Sequence, residues 1–179
     1  MEARDPVKIL IKKETYDDSI VKCSKSLYRK YSSKVSKKLV IVIDFSIPME
    51  TERLYIVDLD QNKIILRSKV CHGSGSGRTP IPTLFSNIPE SKMSSLGVMK
   101  TAESYYGSFG YSMRVDGLQS QNSKVRERAI IFHSSKKQRT SWSWGCFSVP
   151  DDCIREIIDL TKGGSLIFVF NQKSQLYEI

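Results

Sequence analysis

Chemistry in this chain starts from its imidazoles and thiols. There are two histidines, His72 and His133, and four cysteines, Cys23, Cys71, Cys146 and Cys153. Cys146 lies in Ser143-Trp144-Gly145-Cys146-Phe147. A thiol attacks as the thiolate, which needs positive potential beside it to form near neutral pH. Gly145 leaves the backbone bare, so that its N–H groups can approach a substrate and act as an oxyanion hole for acyl transfer. His133 comes thirteen residues earlier, where the apolar run Ala129-Ile130-Ile131-Phe132 meets a polar stretch. That junction suits a side chain held rigidly yet facing a cleft, and the two residues form a base–nucleophile pair at the two edges of one loop. The ordinary alternative is a small buried cysteine and a hydrogen-bonded structural histidine.

The other histidine opens His72-Gly73-Ser74-Gly75-Ser76-Gly77. This segment has the glycines of a phosphate-cradling loop but not its Lys-Ser/Thr. It runs into Pro80 and Pro82 rather than into a helix, so it lacks the N-terminal dipole that such loops use. It reads as a rim loop shaping a cleft, with His72 as a substrate contact. Cys71-His72 has no second ligand pair, and the cysteines show no CxxC spacing, so neither a metal nor another cofactor is expected.

The elements that must position these residues are legible in part. Tyr16, Ile20, Cys23, Leu27 and Tyr31 recur at spacings of three and four, which predicts an amphipathic helix with its lysines outward. Leu39-Val40-Ile41-Val42-Ile43 predicts a buried strand. Leu54 to Leu59 and Lys63 to Val70 predict two more, joined by a turn at Asp60-Gln61-Asn62. Residues 72–97 read as a long ordered loop, which inside a compact domain is usually functional. Ala129 to Phe132 predicts a short strand ending at His133. Asp151 can cap a short helix stopped by Gly163-Gly164, and Leu166 to Phe170 predicts the last strand. The expected fold is mainly β, a sandwich or open barrel. It has a helical N-terminal extension over 1–38, a catalytic unit over 39–179, and a short helix after Cys146.

With 179 residues and 40% hydrophobic content, the chain can bury a core without a disulfide framework. Its net charge of +9 favours a polyanionic partner. Much of that excess lies in Lys22, Lys25, Arg29, Lys30, Lys34, Lys37 and Lys38, which read as a solvated helix face. No nucleic-acid module accompanies them, so nucleic acid is not expected as a partner. No apolar stretch approaches the ~20 residues needed to span a bilayer. Met1 to Asp5 carries no apolar signal-peptide core. Read literally this implies the cytoplasm; alternatively, the export signal is missing from the sequence as it stands.

The ordered segments resemble the murein L,D-transpeptidase catalytic family, in its YkuD-like branch, from about Leu39 to Phe170. The resemblance is carried by Ile43-Asp44-Phe45-Ser46, Arg53-Leu54-Tyr55 and Val57-Asp58-Leu59. His72-Gly73, Gly75-Ser76, Phe85-Ser86-Asn87 and Ser94-Ser95-Leu96-Gly97 follow. Tyr105, Gly107, Asp116-Gly117-Leu118, Asn122 and Arg128-Ala129-Ile130 come next. His133, Ser143-Trp144-Gly145-Cys146 and Gly163-Gly164-Ser165-Leu166 complete the set.

The resemblance implies a cysteine acyltransferase with Cys146 as nucleophile and His133 as base. The Ser134 carbonyl would orient the imidazole, and the Gly145 and Cys146 amides would form the oxyanion hole. Ser143 and Trp144 would face the substrate. Three positions depart from the family pattern: Ser134 where Gly follows the histidine, Trp142 where Arg precedes the Ser-Trp-Gly-Cys, and Ser148 where Arg often follows the nucleophile. The loop after His72 is also shorter. Arg139, Arg128 and Arg78 are the candidates to replace the lost arginines.

The implied substrate is a peptidoglycan stem tetrapeptide, which loses D-Ala and is joined in a 3→3 cross-link. Resolution by water would instead make the enzyme an L,D-carboxypeptidase. A wall-binding module that has lost catalysis is the rival from another class. The implied setting is the periplasm or cell envelope, where the protein would act as a monomer without a membrane-spanning segment.

Overall fold

In the computed structural model, which describes residues 14–138 and 140–179, Thr15 starts the first helix. Its hydroxyl accepts the Asp18 N–H and the Asp18 carboxylate accepts the Thr15 N–H, both at 3.1 Å, a reciprocal capping box. Helix α1 (Tyr16–Tyr31) buries Ile20, Cys23 and Leu27, as the spacing predicts. Each large apolar side chain buried this way contributes about 1.5–3 kcal/mol. Lys22, Arg29, Lys30, Lys34 and Lys38 are exposed. Residues 1–13 of the expected N-terminal extension lie outside the described residues.

The strands are β1 (Leu39–Asp44), β2 (Leu54–Asp58), β3 (Lys63–Ser68), β4 (Gly97–Gly107), β5 (Gly110–Gly117), β6 (Ile131–Ser134), β7 (Phe147–Val149) and β8 (Leu166–Phe170). They form one sheet in the order β3-β2-β1-β8-β4-β5-β6-β7. The last strand enters its centre, parallel to β1 and antiparallel to β4. Alternation along β1 sends Ile41 and Ile43 to one core, and Val40 and Val42 to another, beneath α1. The first core also holds Met113, Phe132, Phe147, Ile157 and Val169. The sheet's two ends approach each other. The chain leaving β3 bridges β7, with the Cys71 N–H donating to the Ser148 carbonyl at 2.8 Å. The expected open barrel is therefore present, nearly closed by this bridge.

The hairpin of β4 and β5 has no counterpart among the expected strands. Lys100, Thr101, Glu103 and Ser104 break its apolar pattern, and the register shifts between Thr101 and Ser104. β7 has three residues, too few to show a period. Helix α2 (Asp151–Thr161) follows Cys146 as expected, with a different start. Pro150 is its N-cap and contributes no side-chain bond, while Asp151 is the first helical residue. The Asp151 carboxylate accepts the Ser134 hydroxyl at 2.7 Å instead of capping the helix. No helix among the described residues is long and apolar enough to cross a membrane.

Candidate active site

β6 and β7 run parallel, pairing Phe132 with Phe147 and His133 with Ser148. The two phenylalanine rings stack in the core at 4.8 Å. Side chains alternate along a strand, so His133 and Ser148 point to the opposite face. Cys146 immediately precedes β7. The pairing sets His133 beside Ser148, two residues beyond Cys146.

His133 is 2% exposed. Its Nδ1 lies 2.8 Å from the Ser134 carbonyl, which can only accept, so Nδ1 carries the proton and Nε2 keeps its lone pair. Burial holds the imidazole below its ordinary pKa of 6.5, opposed by that carbonyl bond. The ring is also clamped from outside by Phe109, at the tip of the β4–β5 hairpin, with centroids 4.1 Å apart and planes 23° from parallel.

Cys146 is half-buried and a free thiol; Cys71 and Cys153, also half-buried, and the buried Cys23 are free thiols too. Its Sγ donates to the Ala129 carbonyl at 3.4 Å. Burial pushes its pKa up to about 11, while a hydrogen bond from the Ile131 backbone and the Arg128 charge act to lower it. The resting thiol is therefore protonated and needs a base. Ala129 sits at φ 54°, a left-handed conformation that costs a non-glycine residue about 1–3 kcal/mol and here aims its carbonyl at the sulfur.

The turn before Cys146 is tied from within. The Ser143 hydroxyl donates to the Cys146 carbonyl at 2.7 Å and accepts the Gly145 N–H at 3.2 Å. Gly145 has φ +109°, and a Cβ there would lie 2.8 Å from the Met93 carbonyl. The Gly145 amide expected in the oxyanion hole is thus engaged by Ser143. The Cys146 N–H has no acceptor among the described residues.

His72 is not on a rim. It is fully buried, with Nδ1 accepting from Arg53 Nη2 and Nε2 donating to the Gly77 carbonyl, both at 2.9 Å. Its backbone carbonyl accepts the Ser143 N–H at 3.0 Å, so it supports the nucleophile turn from behind. Gly73 beside it is needed for close approach, since a Cβ would lie 2.2 Å from the Lys92 carbonyl and 2.9 Å from the Gly145 nitrogen.

Arg128 is similarly committed. Nη1 donates to the Ser86 carbonyl and Ser95 hydroxyl, and Nη2 to the Ser91 hydroxyl and Met93 carbonyl. It ties the 86–93 loop to the site and is not free to take a substrate carboxylate. Arg78 is exposed on the loop, and Arg139 lies outside the described residues. Trp144 is 72% exposed with Lys92 Nζ 4.7 Å from its ring centroid, which places beside the nucleophile turn a cation that sequence reasoning missed. Phe109 was missed as well, and Arg53 and Ala129 were named only within the resembling segments, without a role. A hairpin contact, a positive φ and a buried guanidinium leave no local pattern to read. At the two family arginine positions before and after the nucleophile, Trp142 Nε1 and Ser148 Oγ are buried without a partner among the described residues. Among the described residues no three His, Cys, Asp or Glu side chains gather into a metal site.

The fold has counterparts among solved structures. Bd1075 of Bdellovibrio bacteriovorus is 16% identical, with a TM-score of 0.51 over 79% of this chain and 52% of that one. An L,D-transpeptidase from Mycobacterium smegmatis is 11% identical, with a TM-score of 0.47 over 74% of this chain and 58% of that one. An L,D-transpeptidase from Stackebrandtia nassauensis is 13% identical, with a TM-score of 0.48 over 87% and 65%. The chain thus spans about half the length of the first of these relatives. No curated protein sequence matches it. The model of the L,D-transpeptidase catalytic domain, by contrast, matches residues 11–170, a stretch that runs from ahead of α1 to the end of β8. On that match, the chain belongs to the L,D-transpeptidase catalytic domain family.

Proposed function

We propose that the protein is a cysteine acyltransferase acting on peptidoglycan stem tetrapeptides, with Cys146 as nucleophile and His133 as general base and acid. The observation that carries this reading is the fixed tautomer of His133. Its Nδ1–H is held by the Ser134 carbonyl, which leaves Nε2 with its lone pair, on a strand paired with the one that Cys146 immediately precedes. Burial keeps that imidazole neutral at pH 7, ready to accept a proton.

Nε2 takes the thiol proton, and the sulfur forms a bond to the amide carbon at the L-centre of the third stem residue. The oxyanion is taken by the Cys146 N–H, which has no other acceptor among the described residues. Collapse breaks the C–N bond, and D-Ala leaves with the imidazolium proton on its amine. The thioester is then resolved by an amine of a neighbouring stem, giving a 3→3 cross-link. Trp144 and Lys92 flank the nucleophile turn and would meet the donor peptide and its carboxylate. The substrate lies outside the cytoplasm, so the reading assigns the protein to the periplasm or cell envelope. It takes residues 39–179 as the catalytic unit and 1–38 as an extension whose helix buttresses the sheet.

Incubation with a disaccharide-tetrapeptide followed by mass spectrometry tests this. Dimers with loss of D-Ala are expected, and Cys146→Ala abolishes them. Tripeptide without dimer would make the enzyme an L,D-carboxypeptidase. No release of D-Ala by the folded wild type would sink the acyltransferase reading and leave a wall-binding module.

A further inference from the structure

A single hydrogen bond does not fix an imidazole. The Ser134 carbonyl anchors His133 Nδ1 at 2.8 Å, but the ring can still pivot about that contact, because the terminal torsion of histidine has broad wells. The plane of the ring, and with it the direction of the Nε2 lone pair, needs a second constraint. Phe109 is placed to give one, with ring centroids 4.1 Å apart and planes 23° from parallel. Ser108 and Phe109 form the two-residue loop beyond the last pair of the hairpin, Gly107 with Gly110. Tyr106, Gly107 and Ser108 are exposed there, whereas Phe109 is half-buried. β5 pairs with β6 at Arg114–Ile131 and Met113–Phe132, and the pairing stops one residue short of His133. The ladder therefore does not hold the tip over the imidazole. Helix α2 does. The Tyr111 hydroxyl donates to the Asp159 carboxylate at 2.6 Å and accepts from Lys162 Nζ at 3.2 Å. Arg155 lies 4.9 Å from the Tyr111 ring centroid, and Tyr106 stacks on the same ring at 5.1 Å. Three side chains at and beyond the middle of α2 thus grip a residue two positions from Phe109.

We propose that Phe109 is a positioning residue for the reaction, which sets the plane of the His133 imidazole, and that Tyr111 latches the hairpin to α2 so that it can. This rests on the acyltransferase reading above and deepens it.

Two constraints on one ring do what neither does alone. The carbonyl bond selects the tautomer, and the stacked ring selects where Nε2 points. Direction matters at both proton transfers. Nε2 takes the thiol proton as the sulfur bonds to the amide carbon, and returns it to the amine as the C–N bond breaks. Each transfer needs a short, aligned contact. A misplacement of about 1 Å costs on the order of 10²-fold in rate. Phe109 also keeps water from one face of the ring, which is part of the burial that holds the imidazole below 6.5. Apart from Cys146, the titratable groups at this end of the site are Tyr106 and Tyr111 on the hairpin, Lys136 and Lys137 after β6, and Asp151 and Arg155 on α2. The shift of His133 comes from burial, opposed by the Ser134 carbonyl, and from none of these charges. Uncovering the ring therefore moves its titration upward.

Three variants of the purified chain test this. Phe109→Ala removes the ring, Phe109→Leu keeps an apolar cover without a flat face, and Tyr111→Phe removes only the hydroxyl of the latch. Each is followed by D-Ala release from the tetrapeptide and by nitrogen NMR of the histidine rings. The chain has two histidines, so His133→Ala assigns the signals. Phe109→Ala is expected to lower kcat by about tenfold to a hundredfold with KM within about threefold. Its acid limb should move up towards 6.5, and the separate Nδ1–H and Nε2 signals of His133 should broaden or average. Phe109→Leu should restore the low midpoint but only part of the rate. Tyr111→Phe should cost about threefold to tenfold alone and nothing more in the Phe109→Ala background, because the latch acts through the ring. Unchanged kcat and ring signals in folded Phe109→Ala overturn the assignment. So does a rise in KM alone, which would mean that Phe109 meets the substrate instead. Additive losses in the double variant overturn the latch. If the wild type releases no D-Ala, the acyltransferase reading fails and the catalytic part of this assignment with it, while the ring signals still decide whether Phe109 holds the imidazole.

Discussion

The Nδ1 of His133 lies 2.8 Å from the carbonyl oxygen of the next residue, Ser134. A backbone carbonyl cannot be protonated or rotated away, so this contact fixes both ring orientation and tautomer. It also opposes, without cancelling, the effect of burial on the pKa. The imidazole titrates below 6.5 and is neutral at pH 7. The expected pH profile of kcat/KM for D-Ala release therefore rises on its acid side with a midpoint below 6.5 and is level by neutrality. His133→Ala should cost about 10²–10⁴ in rate. An acid limb centred above 6.5 would contradict the assignment of His133 as base. The same sign applies to folding: the unfolded chain binds this proton more tightly, so this contribution to stability is present above pH 6.5 and fades as pH falls below it.

The Cys146 thiol is pushed in the opposite sense, up to about 11 by burial. In the substrate-free enzyme, alkylation of Cys146 by iodoacetamide should be slow at pH 7. It should rise nearly tenfold per pH unit through pH 9 to 10, since only the thiolate reacts. Peptide mass spectrometry separates this site from Cys71 and Cys153. A plateau at or below pH 8 would mean a preformed thiolate, and His133 would then have no proton to remove.

The candidate pair Cys146 and His133 rests on local signals, whereas the side chains around each of them do not, and the difference has a physical origin. Gly145-Cys146 and a histidine at the end of an apolar run are local signals. So were α1, β1 and β8, whose buried faces repeat with the period of their element. The β4–β5 hairpin hides because Lys100, Glu103 and Ser104 interrupt its apolar face, and with it went Phe109, whose contact with His133 is purely tertiary. His72 misled for the converse reason. A glycine-rich neighbourhood suggests an exposed loop, yet Gly73 is there to let the Lys92 carbonyl and Gly145 pack against it.

Gly145 combines a φ of +109° with a tight ceiling, the Met93 carbonyl 2.8 Å from where a Cβ would stand. Gly145→Ala should strain the backbone by about 1–3 kcal/mol. The strained turn carries the Cys146 amide, so kcat should fall while the melting temperature drops by only a few degrees. Acylation by tetrapeptide at a wild-type rate would show that the turn relaxes without harm and that its geometry is not catalytic.

The buried pair of Arg53 and His72 predicts a loss of stability rather than of chemistry. Arg53 also donates to the Val70 and Ile47 carbonyls and lies 4.8 Å from the Phe45 ring centroid, with burial lowering its pKa to about 10. His72→Ala removes both an acceptor for Arg53 and a donor for Gly77, and leaves a cavity. Urea denaturation should show a loss of about 2–4 kcal/mol. A stable His72→Ala variant with a raised KM alone would return His72 to the substrate surface.

Ser134 occupies a position that is glycine in the resembled family, and its backbone is ordinary at φ −71° and ψ 141°. Nothing about the turn therefore requires glycine, and two jobs separate cleanly at this residue. The carbonyl holds His133, while the hydroxyl donates to Asp151 at 2.7 Å and accepts the Lys136 N–H at 3.1 Å. Ser134→Gly keeps the first and deletes the second. It should leave kcat/KM within a few-fold of wild type, since the imidazole is still pinned. It should lower stability by about 1–2 kcal/mol, from the lost hydrogen bonds and the greater freedom of glycine in the unfolded chain. Ser134→Ala, which lacks only the hydroxyl, should account for roughly half of that loss. Denaturation curves and D-Ala release on the three proteins decide the matter. If Ser134→Gly loses activity as steeply as His133→Ala while remaining folded, the hydroxyl and not the carbonyl orients the base, and the route from Asp151 through Ser134 to the imidazole becomes the catalytic one.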